Sequence, residues 1–184
     1  MQKKETDLSS FNNSWYKTGA SVFKRTIWYF VSVAVFKSAF PINFIKVRLL
    51  KMFGARVGEG LIIKPHVSIK YPWRLTVGSH VWFGEHVWID NLGDVTIEDN
   101  VCISQGAMLL CGNHDYRKIT FDLIIGNIHL KKGSWIGAKS IVCPNVVVGS
   151  HALLAVGSVA TQNLNEYTIY QGNPAVAVKE RKIV

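Results

Sequence analysis

The chain has 184 residues, 48% hydrophobic and 18% charged, which is too apolar for a disordered chain and enough to bury one core. Its 15 glycines and 5 prolines exclude collagen-like and low-complexity classes. The formal charge of +9 is uneven: residues 1–56 hold ten Lys/Arg against Glu5 and Asp7, a net of +8, and residues 57–184 hold eleven against ten. A nucleic-acid enzyme would carry such charge around its active site. A basic, apolar N-terminal third instead fits a surface that meets anionic lipid or an acidic partner.

Residues 1–19 are polar, rich in Ser and Asn, and are expected to be loose. Residues 22–40 and 41–55 are two apolar, basic stretches separated at Pro41. Ile42, Ile45, Leu49 and Met52 recur at three- and four-residue steps, which predicts a helix with one apolar face, ended by Gly54. The first stretch is β-branched and aromatic like a strand, but its length and flanking charges suit an apolar helix. Its uncharged run, Thr26 to Phe36, is eleven residues, against about 20 needed to span a bilayer. No small-x-small cleavage site follows it. Cys102, Cys111 and Cys143 are odd in number and form no CxxC pair, which predicts free thiols in a reducing cytosol. The segment 20–53 is therefore expected to pack on the main domain or dock peripherally on an anionic membrane at its cytoplasmic face.

From Val57 an aliphatic or aromatic residue recurs every six positions. The series runs Val57, Ile63, Ile69, slips by two, runs Val77, Phe83, Ile89, slips again, and runs Ile97, Ile103, Leu109. After a longer interruption it resumes as Leu130, Ile136, Val142, Val148, Leu154, Ala160. Turn-forming residues such as Gly58, Gly78, Gly137 and Gly149 follow the aliphatic one, and Val67, Val81, Ala107, Ser140, Val146, Ala152 and Ser158 sit four places after it. Period six fits neither a helix nor an alternating strand. It fits short strands joined by tight bends, stacked as coils that bury one continuous core. The predicted fold class is an all-β solenoid with an N-terminal helical segment (1–53), a repeat domain (54–179) with a protruding loop (111–129), and a basic tail (180–184).

These residues resemble the hexapeptide-repeat acyltransferases. The matching runs are VWIDNLGDVTIEDNVCISQGAMLLCGNHDY (87–116), WIGAKSIVCPNVVVG (135–149) and AVGSVATQNLNEYTIYQGNPAVAVK (155–179). They are most similar to sugar O-acetyltransferases of the galactoside/maltose group and of the colanic-acid biosynthesis type. The resemblance implies a left-handed parallel β-helix, a homotrimer, and acetyl-CoA as cosubstrate with no metal. It implies direct transfer of acetyl to a sugar hydroxyl, for an exopolysaccharide, capsule or lipopolysaccharide, the acceptor being a free or lipid-linked sugar.

By that resemblance His114, in GNHDY, is the general base. A neutral imidazole suits the task, which typically contributes roughly 10²–10⁴-fold. Asp90 and Asn91 fall at the coil position that contacts the acceptor, with Asp90 where the galactoside type has Asn; Asp90 could alternatively orient His114. Asp115 and Tyr116 are weaker acceptor candidates. Gly137, Ala138, Val156, Gly157 and Thr161 match the pantetheine groove, where an N–H near Gly137–Ala138 could serve the thioester oxygen. Lys179 and Arg181 match phosphate-binding positions, although Gln162 and Val176 stand where relatives carry Lys and Arg. His66, His80, His86, His129 and His151 lack the GNHDY context and are expected to be structural or exposed. Cys111 is not expected to be a nucleophile. The competing readings are a serine- or chloramphenicol-type acetyltransferase, a non-catalytic scaffold, and a zinc enzyme of the γ-carbonic-anhydrase type. The last needs an H-x4-H pair that is absent, since His80 and His86 are six apart.

Overall fold

A computed structural model describes residues 4–184. The repeat folds as a left-handed parallel β-helix with three flat faces. Face I is built on the strands Arg56–Val57, Leu75–Val77, Val95–Ile97, Ile128–Leu130 and Val147–Val148, each hydrogen-bonded to the next. Face II begins at Ile62–Ile63 and face III at Ser68–Ile69, and both rise in the same order. Val57 therefore stands beside Val77, Val77 beside Ile97, Ile97 beside Leu130 and Leu130 beside Val148. The two-residue slips are extra residues at the corner from face III back to face I, and the long interruption is the same corner expanded.

Fourteen of the fifteen six-spaced residues are buried, Val57 at the open end being partly so. The seven small or β-branched residues four places on are buried as well. Each side thus turns two residues inward, the aliphatic one mid-face and the smaller one just after the corner. The corner itself depends on a third position that the spacing did not reveal. Three residues after eleven of the fifteen six-spaced residues the backbone enters the left-handed region: Gly60, His66, His80, His86, Asn100, Gly106, Gly133, Lys139, Asn145, His151 and Gly157 all have φ between 56° and 67°. Four of the histidines are thus corner residues. His66 and His86 stack on one another at 4.7 Å. His80 lies at the I–II corner and His86 at the II–III corner, as their spacing implies. His129 is held by Glu98, 2.7 Å from Nε2 to Oε1. Gly137 is required for a different reason: a Cβ there would stand 2.6 Å from the Leu154 carbonyl of the next coil.

The N-terminal segment closes the open end. Helix α1 (Val22–Val31) starts at Ser21, whose hydroxyl accepts the Lys24 N–H, and continues as a π-helical stretch to Phe36. Helix α2 spans Asn43–Met52 and ends at Gly54, φ 101°. N–H groups of one coil donate to carbonyls of the following coil, as Ile62 does to Val81, so the first coil's own carbonyls face outward. The helices cap them: Asn43 Nδ2 donates to Leu61 O, Trp28 Nε1 to Ile69 O, and Lys46 Nζ to Ile63 O and Lys64 O at 3.3 and 3.2 Å. Terminal repeats need such a cap, because an exposed coil end is an unpaired sheet edge. Trp28, Phe36 and Leu50 extend the core into the cap. The buried face of α2 is therefore Lys46 and Leu50; Ile42 and Met52, expected to be apolar contacts, are exposed because the cap needs a donor facing the coil. Residues 7–18 are also tied down rather than loose. Asp7 N–H donates to Ile119 O, Tyr16 Oη to Leu92 O, Trp73 Nε1 to Thr18 O and the Arg74 guanidinium to Lys17 O. At the other end, Ala175–Glu180 folds back antiparallel on Thr168–Gly172.

Candidate active site

The interruption leaves the III–I corner of the third coil as a hairpin, Gly112–His114 against Leu123–Ile125. It stands above residues 90–94 of the second coil and 70–74 of the first, which occupy the same corner. His114 is half-buried at the hairpin's stem. Its Nδ1 lies 2.8 Å from the Phe121 carbonyl. A carbonyl only accepts, so Nδ1 donates to it and Nε2 is the ring nitrogen outside that bond. The ring stacks on Phe121 at 4.4 Å and 7°, and Phe11 tilts against it at 5.6 Å. Phe121 sits at φ 49°, a conformation costing a side-chain-bearing residue about 1–2 kcal/mol, and the same residue supplies both the ring and the carbonyl that hold His114. The ring is thus held in one orientation from both sides.

The carboxylates near it have other partners. Asp90 pairs with Lys70, Nζ to Oδ1 2.9 Å, and its Oδ2 lies 3.9 Å from where a Cβ on Gly112 would stand, at the foot of the His114 hairpin. The orienting role considered for Asp90 is filled by the Phe121 carbonyl. Asn91, expected to meet the acceptor, is fully buried; its side chain accepts Tyr71 N–H and donates to Tyr71 O at 2.9 and 2.6 Å, so its amide is turned onto the first coil and is covered from a ligand. Asp115 is gripped by Arg117 through Nε and Nη2, which holds its carboxyl below the usual carboxylate range. Asp122 is held down in the same way, first by Lys118 and then by Thr120. Tyr116 is 80% exposed at the hairpin tip and touches nothing that would position an acceptor. Burial pushes the Cys111 thiol up to about 11, so it stays protonated and is a poor nucleophile, as expected.

No family model matches the chain. WcaF of Escherichia coli strain K12, a provisional colanic acid biosynthesis acetyltransferase, is 31% identical over 176 residues, covering 95% of this chain and 97% of the relative. The chain belongs to the hexapeptide-repeat acetyltransferases. Two solved structures share the fold. The hexapeptide-repeat acetyltransferase VCA0836 of Vibrio cholerae superposes with a TM-score of 0.80 at 19% identity, over 90% of this chain and 96% of that one. A galactoside acetyltransferase in complex with coenzyme A gives 0.77 at 22%, over 87% and 82%.

The acetyltransferase's remaining candidates lie elsewhere on the solenoid. Ala138, Val156 and Gly157 form one column at the II–III corner of the last two coils, with Gly157 N–H donating to Ala138 O at 2.9 Å. Gly137 N–H is taken by Leu154 O, so it cannot serve an oxyanion; the Ala138 N–H, at the turn position after it, makes no backbone hydrogen bond. Val156 is 70% exposed, and a Cβ on Gly157 would meet nothing within 4 Å. Thr161 is exposed at the III–I corner, following the last strand of face III. Lys179 is exposed on the C-terminal hairpin. Arg181 is not free: it donates to Gly133 O and His151 O at the I–II corner, pinning that hairpin to the solenoid. Within one chain, then, His114 and the Ala138–Val156–Gly157 column stand at opposite edges of face III and do not meet. Sequence reasoning missed Phe11 and Phe121. The available signal was faint, because Phe121 stands among other apolar residues in ITFDLII and Phe11 lies in a segment with no repeat to place it.

Proposed function

We propose that this acetyltransferase moves acetyl from acetyl-CoA to a saccharide hydroxyl, with His114 as general base, in the assembly of a surface polysaccharide. The observation that supports the reading is the His114–Phe121 pair, which commits Nδ1 to the Phe121 carbonyl and leaves Nε2 as the ring nitrogen for an acceptor at the stem of a protruding hairpin. The likeness to WcaF and to galactoside O-acetyltransferase points to a sugar acceptor. Acetyl-CoA supplies the acetyl group and, as its thiol, the leaving group. His114 Nε2 takes the acceptor's hydroxyl proton as the new C–O bond forms and returns it to the departing sulfur. The Ala138 N–H is the donor placed for the developing oxyanion, and Val156 and Gly157 leave room for a pantetheine arm along the backbone. Because these lie at the far edge of face III from His114, a complete site takes one edge from each of two neighbouring chains, and a homotrimer supplies three such sites. Thr161 and Lys179 remain the available side chains toward the nucleotide end.

The N-terminal third is the proposed membrane-facing side. Val22, Phe23, Tyr29, Phe30 and Val33 are exposed on one face of α1 and its extension, in the segment that carries most of the chain's net charge. No helix of the described residues is long and apolar enough to cross a membrane, so contact there would be peripheral, at the cytoplasmic face. The experiment that tests the donor is a thermal shift with acetyl-CoA against ATP. Ligand at about 100 times its Kd adds roughly 2.7 kcal/mol, or on the order of 5–10 °C for a chain this size. A shift with acetyl-CoA alone supports the reading, and no shift at millimolar acetyl-CoA overturns it.

A further inference from the structure

A second concave feature lies against the first coil, below the His114 hairpin. It is a cavity of about 390 Å³ between α1, the stretch that follows it, and the III–I edge of the first two coils. Its polar lining is Arg25 and Ser32 from the α1 stretch, Lys37 just beyond, Lys70 on the first coil and Asp90 on the second. That is three cations against one carboxylate, in a part of the solenoid whose remaining walls are aromatic, chiefly Tyr71 and Trp88. Among the described residues only Lys70 of the three cations has a carboxylate partner, Asp90 at 2.9 Å, so Arg25 and Lys37 bring positive charge to the cavity that no carboxylate lining it neutralises.

The donor set identifies what that is. A guanidinium and two ammonium groups offer more hydrogen bonds than the two oxygens of one carboxylate accept. They suit the several oxygens and the double negative charge of a phosphate or diphosphate. The aromatic walls suit the apolar face of a sugar ring. Asp90 joins the cavity to the reaction centre: one oxygen holds Lys70 inside it, and the other lies against Gly112, two residues from His114, about 7 Å along an extended strand. We propose that this cavity binds the phosphate of a phosphate-bearing saccharide, so that the acceptor is a sugar phosphate or diphosphate rather than a neutral sugar. The proposal rests on the acetyltransfer reading and names the substrate class for it. Arg25 and Lys37 hold the phosphate, and Tyr71 and Trp88 flank the sugar that reaches toward His114.

Titration calorimetry in the absence of acetyl-CoA tests it, with galactose, glucuronic acid, galactose 1-phosphate, UDP-galactose and geranyl-diphosphogalactose as probes on the full chain. At least one phosphate-bearing probe should bind tenfold or more tighter than both galactose and glucuronic acid. A preference for UDP-galactose assigns the phosphate to a nucleotide, and a preference for the geranyl compound assigns it to a lipid carrier; either supports the site. Arg25→Gln and the exposed Lys37→Gln should each weaken that binding by about ten- to a hundredfold while the acetyl-CoA thermal shift is unchanged. Equal affinity for galactose or glucuronic acid, or unaltered binding in both variants, overturns the proposal. Because binding is read without the donor, that failure is separate from failure of the acetyl-CoA shift, which would overturn the acetyltransfer reading itself.

Discussion

Replacing His114 separates a base from a packing residue. The imidazole has two nitrogens with separate tasks: Nδ1 donates to the Phe121 carbonyl at 2.8 Å, and Nε2 is the nitrogen proposed as the base. Asn at this position can keep the first through its amide and cannot supply the second; Ala loses both. If Nε2 is the base, His114→Asn and His114→Ala should both lower kcat by roughly 10²–10⁴, which is about 2.7–5.4 kcal/mol of transition-state stabilisation. Release of free coenzyme A thiol with whichever saccharide probe binds the full chain most tightly reads the rate, and the acetyl-CoA thermal shift should persist in both variants because the donor column lies at the other edge of face III. Both variants lose the ring between Phe11 and Phe121, and His114→Ala should be the less stable of the two, since it alone leaves the Phe121 carbonyl without its side-chain donor. Turnover in His114→Asn within tenfold of the parent would refute the base assignment and reduce His114 to a strut for the hairpin.

Four further outcomes follow from the geometry. Phe83 is fully buried mid-face in the second coil, so Phe83→Ala should cost about 3–5 kcal/mol and lower Tm by roughly 6–20 °C in calorimetry; a loss under 1 kcal/mol would contradict a continuous core. Cys111 should resist iodoacetamide in the native protein at pH 8 while the half-buried Cys102 and Cys143 are modified first, and prompt labelling of Cys111 would show that the corner opens. Asp115 and Asp122 have folded pKa values depressed by Arg117 and Lys118, so their support of the hairpin is present above the ordinary carboxylate pKa and is lost as pH falls through the depressed values. Hydrogen exchange in the hairpin should therefore be protected down to about pH 4 and fail below it; loss already at pH 6 would point to another group. Phe23→Ser with Phe30→Ser should abolish sedimentation with anionic phosphatidylglycerol vesicles without changing Tm by more than about 3 °C, because both side chains point to solvent; unchanged sedimentation would remove α1 from the membrane contact.

Much of the architecture was legible because a solenoid repeats one local problem. Every coil must place an aliphatic side chain inside each face, so Ile63, Phe83, Ile103, Ile136 and Leu154 stack on face II and betray the period. The left-handed corner position was missed because its occupants share a backbone conformation and not a chemistry: Gly, His, Asn and Lys all fill it. The N-terminal segment was misread for a related reason. Its polar stretch looked unstructured, yet Tyr16, Thr18 and Lys17 find partners more than fifty positions away in sequence. At the site, the GNHDY context located His114, but nothing local could show that its Nδ1 is held by Phe121 or that Asn91 spends its amide on Tyr71.

Sequence by itself determined the period, hence the fold, and the histidine that stands outside it. Both are one-dimensional signals: burial of one residue in six is imposed on each coil separately, and a break in that rhythm marks where the chain leaves the prism. Tertiary structure alone decided which groups are free to act. Whether Asp90, Asn91, Gly137 or Arg181 can touch a ligand depends on hydrogen bonds to other coils, and each such partner is set by stacking along the helix axis. The same stacking separated His114 from the Ala138–Val156–Gly157 column by the width of a face, and set Arg25 and Lys37 into one cavity beside Asp90.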